Sequence, residues 1–201
     1  NIYLVYRAVL ALGGERLAAV FASCLLGTHW VAIGYGSTVY PRTPATTCIL
    51  ISALLATSPS RKIWSRLGAG ALAALAFAFR YSEAIFLAPL LLLASRQETH
   101  RERLRNALHV GAGFAVGSLL FVGLADRLEW GAPFASLRAF FEYTLVESNA
   151  SALVISQPPY WYLWRAHRWI PPAALAGLWF LRRVKVPTTL TAFVVAPLVA
   201  L

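Results

Sequence analysis

The sequence has 201 residues, of which 59% are hydrophobic and 13% charged, with a formal net charge of +10. A soluble domain carries about 45–50% apolar and about 25% charged residues, so the surplus apolar surface needs lipid and the chain reads as an integral membrane protein. The basic residues stand in short clusters between apolar runs and not on one polar face, which excludes the nucleic-acid reading of the charge.

The apolar runs, in chain order, are Ile2 to Leu12, Leu17 to Tyr40, Pro44 to Thr57, Leu67 to Phe79, Ala84 to Ala94, Ala107 to Ala125, Ile170 to Leu181 and Pro187 to Leu201. They predict an all-α, polytopic transmembrane bundle of about seven to eight membrane segments, with residues 1–201 as a single membrane domain. Cys24 and Cys48 fall inside these runs as small apolar thiols, without disulfide or metal spacing. The chain starts at Asn1 without an initiator Met or signal peptide and stops at Leu201 within an apolar run, so it is read as a fragment of a longer protein.

Sidedness follows from the loops. Arg16, the cluster of Arg61, Lys62 and Arg66, that of Arg96, Arg101, Arg103 and Arg105, and that of Arg182, Arg183 and Lys185 belong on the cytoplasmic side. They outnumber Arg42, Arg80, Arg127, Arg138, Arg165 and Arg168, which alternation assigns to the other side. Thr43 ahead of Pro44 predicts a capping hydroxyl before a proline at the first helical position, and Pro171 and Pro172 open another span in the same way. Both helix starts face the outer side, where exposed N–H groups favour anions.

The runs on either side of Arg80 are too short to cross alone, each reaching about 16–20 Å of a roughly 30 Å hydrocarbon core. Two readings are open. One continuous helix would cross once and bury Arg80 and Glu83 as an i,i+3 pair. A pair of short helices would instead rise, turn at Arg80 to Glu83 and return, which keeps every strong basic cluster on one side.

The segment from 126 to 169 is expected outside the membrane on the non-cytoplasmic face. Within Pro133 to Glu147, Phe134, Leu137, Phe141 and Leu145 recur at helical spacing opposite Ser136, Arg138 and Glu142, the pattern of a helix lying in the interface plane. Gln157, Pro158, Pro159, Tyr160, Trp161, Tyr162, Leu163 and Trp164 follow as an aromatic band suited to headgroups, sugars or lipid tails.

No phosphate loop, serine elbow, HExxH or paired metal ligands are present, so the chemistry-bearing residues have to be found singly. His29, inside a span, reads either as a functional group or as a hydrogen-bonded core histidine. Arg80 stands between two apolar runs, where a guanidinium pairs with Glu83 or binds an anion such as phosphate. Asp126, Arg127 and Glu129 read as a solvated loop, or Asp126 reads as a carboxylate that positions a sugar or a metal. The alternative to an enzyme is a transporter or flippase, or a noncatalytic subunit of a membrane complex; a transporter calls for two repeated halves with paired broken helices, and one broken pair is seen.

Taken together, Pro41, Arg42, Thr43 and Pro44, the run Gly68 to Phe79 with Arg80 and Tyr81, Asp126 to Gly131, and Gln157 to Tyr162 resemble the GT-C superfamily of membrane glycosyltransferases. Within it they are most similar to glycosyltransferase family 22, the mannosyltransferases of N-glycan precursor and GPI assembly. The resemblance implies an inverting glycosyltransferase in a bacterial inner membrane or endoplasmic reticulum membrane. It would transfer a hexose, mannose by analogy, from a polyprenyl- or dolichyl-phosphate sugar to a glycan or glycolipid acceptor on the extracytoplasmic side. It further implies Arg80 and Arg42 on the donor phosphate, Asp126, Gln157, Tyr160 and Trp161 toward the rest of the substrate, and a catalytic carboxylate before Asn1. A divalent metal stays open. Where the family carries polar and acidic residues after the Arg-Thr step, this chain has Pro44, Ala45 and Thr46.

Overall fold

The computed structural model describes residues 1–29, 33, 41–58, 63–95 and 99–143. Among them every regular element is helical: α1 (Ile2–Ala11), α2 (Arg16–Thr28), α3 (Arg42–Thr57), α4 (Ile63–Phe79), a 3₁₀ segment (Tyr81–Phe86), α5 (Leu87–Ala94), α6 (His100–Ser118), a π segment (Leu119–Leu124), α7 (Ala125–Trp130) and α8 (Ala135–Phe141). The spans expected after residue 143, and the aromatic band with them, lie outside the described residues. The described chain falls into two compact units, residues 1–121 and 122–143.

The first unit is held together by small residues. Gly70 and Gly113 sit where α4 and α6 cross, and a Cβ at either would collide with backbone, at the Val110 carbonyl and the Leu67 carbonyl respectively. One at Gly117 would come within 2.7 Å of the Ala74 Cβ. Gly113 and Gly117 are four residues apart, so both lie on one face of α6 and allow the close helix approach used in bilayers, where lipid offers no hydrophobic drive for association. The Ser52 hydroxyl donates to the Ala69 carbonyl at 2.6 Å, tying α3 to α4. Ala45, Cys48, Ile49, Ala73, Leu90, Leu93 and Val110 fill the core between these helices.

The register of these contacts decides between the two readings of Arg80. Leu67 and Gly70 meet α6 around Val110 and Gly113, and Ala74 meets it at Gly117, so α4 and α6 run parallel. Two sequential parallel helices need a return path between them, which the 3₁₀ segment and α5 provide. The break is at Arg80, with φ −153° and ψ 118°. The continuous-helix reading is therefore corrected: extended backbone at one residue ends the ladder of α4 and reverses the chain.

The start of α3 also differs from expectation. The helix begins at Arg42, with Pro41 as its N-cap and no side-chain capping bond, so Thr43 is not the cap and Pro44 is the third helical residue. A proline is tolerated there because the first four N–H groups of a helix have no intrahelical acceptor. The Thr43 carbonyl instead accepts from the Thr47 hydroxyl at 2.8 Å. By contrast α6 opens as its Thr-x-x-Glu sequence dictates, with the Thr99 hydroxyl accepting from the Glu102 N–H at 3.3 Å.

The run expected to cross at Ala107 to Ala125 lies within a continuous helical stretch, His100–Trp130, of 31 residues. At 1.5 Å per residue it is about 46 Å long, enough for a roughly 30 Å core with both ends in the headgroups. Leu104, Leu108, Val116, Leu119, Leu120, Phe121, Leu124 and Leu128 are exposed along it, an apolar surface suited to acyl chains.

A candidate donor-phosphate site at the Arg80 break

The antiparallel pairing of α3 with α4 puts the start of α3 at the end of α4, and so brings Arg42 to the break at Arg80. Glu83, in the first turn of the 3₁₀ segment, is buried at 8% exposure. The Arg80 Nη1 donates to its Oε1 at 3.0 Å, while the Arg80 side chain keeps 31% exposure. Burial works against the charged form of Glu83, and the charges of Arg80 and, second to it, Arg42 oppose that effect. Tyr81 packs its ring on Phe77 with centroids 5.3 Å apart, bracing the break from the α4 side. Asn1 lies at the same end, its side-chain oxygen accepting from the Thr47 hydroxyl at 2.7 Å.

Of the expected site residues, Arg80 pairs with Glu83, and Arg42 acts on the same carboxylate through its charge. A buried guanidinium–carboxylate pair alone reads as structural, since each ion compensates the desolvation of the other. Arg80 is held through one nitrogen only and stays partly exposed, and an Arg fork matches phosphate geometry.

At the other end of α4 a second arginine meets a different fate. Arg66, read in the sequence as one of a cytoplasmic cluster, is buried at 3% exposure. Its Nη1 donates to the carbonyls of Leu55, at 2.9 Å, and Ala56, and its Nη2 donates to that of Ser58 at 3.2 Å. It closes the C-terminus of α3, where no glycine is available and the last carbonyls carry the negative end of the helix dipole. The sequence signal for this role was the missing glycine after Thr57, with an arginine in the first turn of the next helix.

In the second unit Asp126 is buried at 7% exposure. Its Oδ2 accepts from the Ser136 backbone N–H at 2.9 Å and from the Ser136 hydroxyl at 2.5 Å. It therefore caps α8 from ten residues away, which the local spacing of the sequence did not reveal. The amphipathic helix expected from Pro133 appears as α8, starting at Ala135. Phe134 is not on its apolar face: the residue adopts φ 58° ahead of the helix, and its ring lies where a Cβ at Gly123 would be 3.1 Å away. On the exposed side of α8 the Glu142 carboxylate accepts from Arg138 Nε at 2.7 Å. That hydrogen bond, with the attraction of the two charges, raises the guanidinium pKa above its ordinary value. Gln157, Tyr160 and Trp161 lie outside the described residues. Among the described residues no three His, Cys, Asp or Glu side chains gather as a metal cradle.

The sequence profile of the Alg9-like mannosyltransferase family matches residues 1–201. The chain belongs to that family. No curated protein and no solved structure matches it. Membership makes this chain a glycosyltransferase, specifically a mannosyltransferase, embedded in a membrane. It carries with it a lipid-linked sugar donor and a glycan acceptor. The transporter, flippase and noncatalytic readings give way to an enzyme.

Proposed function

We propose that this mannosyltransferase moves mannose from a polyprenyl- or dolichyl-phosphate donor to a glycan or glycolipid acceptor on the extracytoplasmic face. It does so as a multi-pass protein of about seven to eight segments in an endoplasmic reticulum or bacterial inner membrane. Residues 1–201 then form one membrane domain, with 126–169 as its outer loop. Arg80 and Arg42 hold the donor phosphate. The observation that carries this reading is the Arg80 guanidinium held 3.0 Å from the buried Glu83 carboxylate where α4 breaks, with the charge of Arg42 also acting on that carboxylate.

The chemistry follows from charge. In transfer, the anomeric C–O bond to phosphate breaks with its electron pair left on the phosphate, and positive groups already in place stabilise that charge. The acceptor hydroxyl attacks from the opposite face and inverts the anomeric centre, its proton passing to a carboxylate base. Gln157, Tyr160 and Trp161 are assigned to substrate binding, and Asp126 to the same role through its hold on α8.

The test is the Arg80→Ala variant in the full chain. Mannosyl transfer from polyprenyl-phosphate mannose should fall about a hundredfold, the loss expected when one preorganised donor to a developing oxyanion is removed. Expression and membrane insertion should stay at parent levels. A well-folded Arg80→Ala protein working at the parent rate overturns the phosphate role. Sidedness has its own check: cysteine labelling should find positions 61 and 101 from the cytoplasm and position 149 from the other side.

A further inference from the structure

Arg7 stands in the middle of the apolar run Ile2 to Leu12, exposed on α1, a helix that buries none of its side chains. Its Nη1 donates to the Tyr3 hydroxyl at 3.1 Å, and its guanidinium carbon lies 6.0 Å from the centre of the Tyr3 ring. Tyr3 is neutral and itself 65% exposed. Among the described residues no ion pair joins Arg7 to a carboxylate, whereas Arg80, Arg105 and Arg138 each have one. In a chain embedded in a membrane, a guanidinium exposed among apolar residues calls for an anion, because a neutral partner leaves its charge uncompensated. We propose that Arg7 and Tyr3 form a binding site for the phosphate of an anionic membrane phospholipid, held against α1.

The geometry of the pair suits one phosphate. Spacing i,i+4 puts both side chains on the same face of α1. The Tyr3 oxygen accepts from Arg7, so its own O–H is left to donate, and the guanidinium keeps the donors on Nη2 and Nε. A phosphate then takes a charge-assisted bond from Arg7 and a second bond from the phenol. The ring holds the planar cation in place by cation–π attraction before the lipid arrives. Reach is short: Arg7 lies about 9 Å along the axis from Asn1 at one end of α1 and from the exposed turn of Gly13, Gly14, Glu15 and Arg16 at the other, within range of a long side chain and a headgroup together. A choline headgroup carries its own cation beside the phosphate, so a lipid without that cation is the better match for an uncompensated guanidinium. Neither Arg80 nor Glu83 takes part, so the site is independent of the donor-phosphate reading.

The experiment is native mass spectrometry of the full chain titrated with phosphatidylglycerol, phosphatidylcholine and polyprenyl-phosphate mannose, in parent, Arg7→Ala, Arg7→Lys and Tyr3→Phe forms. The parent should retain phosphatidylglycerol in preference to phosphatidylcholine. Arg7→Ala should weaken phosphatidylglycerol about tenfold, the loss of one hydrogen bond to a charged group, and Tyr3→Phe, which keeps the ring and removes the O–H, about threefold. Arg7→Lys should fall between parent and Arg7→Ala, since it keeps the charge without the fork. Binding of polyprenyl-phosphate mannose should stay at the parent value in all three variants. A folded Arg7→Ala protein with parent affinity for phosphatidylglycerol overturns the proposal, and so does a parent that retains the two phospholipids equally. Should Arg7→Ala not fold, Tyr3→Phe decides, and parent affinity in that variant overturns the proposal. Weaker binding of polyprenyl-phosphate mannose with phosphatidylglycerol unchanged would assign the pair to the donor instead, and likewise overturns it.

Discussion

Two arginines lie at opposite ends of α4 and are both withdrawn from bulk water, yet their surroundings give them different work. Arg66 meets the carbonyls of Leu55, Ala56 and Ser58 and is 3% exposed, so both of its Nη groups are directed to helix-end acceptors. Arg80 meets one carboxylate through one nitrogen and keeps 31% exposure. A guanidinium spent on backbone carbonyls is part of the fold. One that is anchored along a single edge, with a second guanidinium nearby, is still able to take a ligand.

The comparison can be broken at either end. The largest expected effect is on stability, from Arg66→Ala: it strips three carbonyls of their donor in a buried setting, at about 1–3 kcal/mol for each group left unsatisfied. Thermal unfolding in detergent should show a loss of several kcal/mol, and an Arg66→Lys protein should recover only part of it, because a point charge cannot reach three acceptors as a planar fork does. Next comes Gly113→Val, which drives a side chain into the Leu67 carbonyl and should cost about 1–3 kcal/mol by overpacking, read in the same melts. It would separate α4 from α6 without touching either arginine. Arg80→Ala should do the opposite of both, changing stability by about 1 kcal/mol, as for a partly exposed ion pair, while abolishing most transfer.

Smaller effects lie in the second unit. Asp126→Ala removes an N-terminal cap and should cost about 1 kcal/mol, confined to α8. Faster hydrogen exchange at Ser136 with unchanged melting would confirm that, whereas unchanged exchange would return Asp126 to a role in substrate contact alone. Arg138→Ala, at an exposed pair with Glu142, should leave melting and transfer at parent values.

The parts of the fold legible in the sequence are those set by local pattern. Apolar runs marked the helices, and the interruption at Arg80 marked the break, because a charged residue between two short runs has few places to go. The family resemblance seen in the Pro41 to Pro44, Arg80 and Asp126 to Gly131 segments agrees with the profile match along the whole chain. What stayed hidden depends on partners distant in sequence. Arg66 finds carbonyls 8 to 11 residues earlier, and Asp126 finds Ser136 ten residues later. Neither distance has a periodic signature. The start of α3 was misplaced because Thr-Pro imitates a cap, whereas the helix extends back over Arg42 and uses positions where a missing N–H costs nothing.

The most direct test of the central claim is a cryo-EM map of the full chain bound to a non-transferable polyprenyl-phosphate sugar. The account predicts phosphate density within hydrogen-bond distance, about 3 Å, of the Arg80 and Arg42 guanidiniums, with Arg66 still on its three carbonyls. Phosphate bound elsewhere, with Arg80 still turned to Glu83, would contradict it.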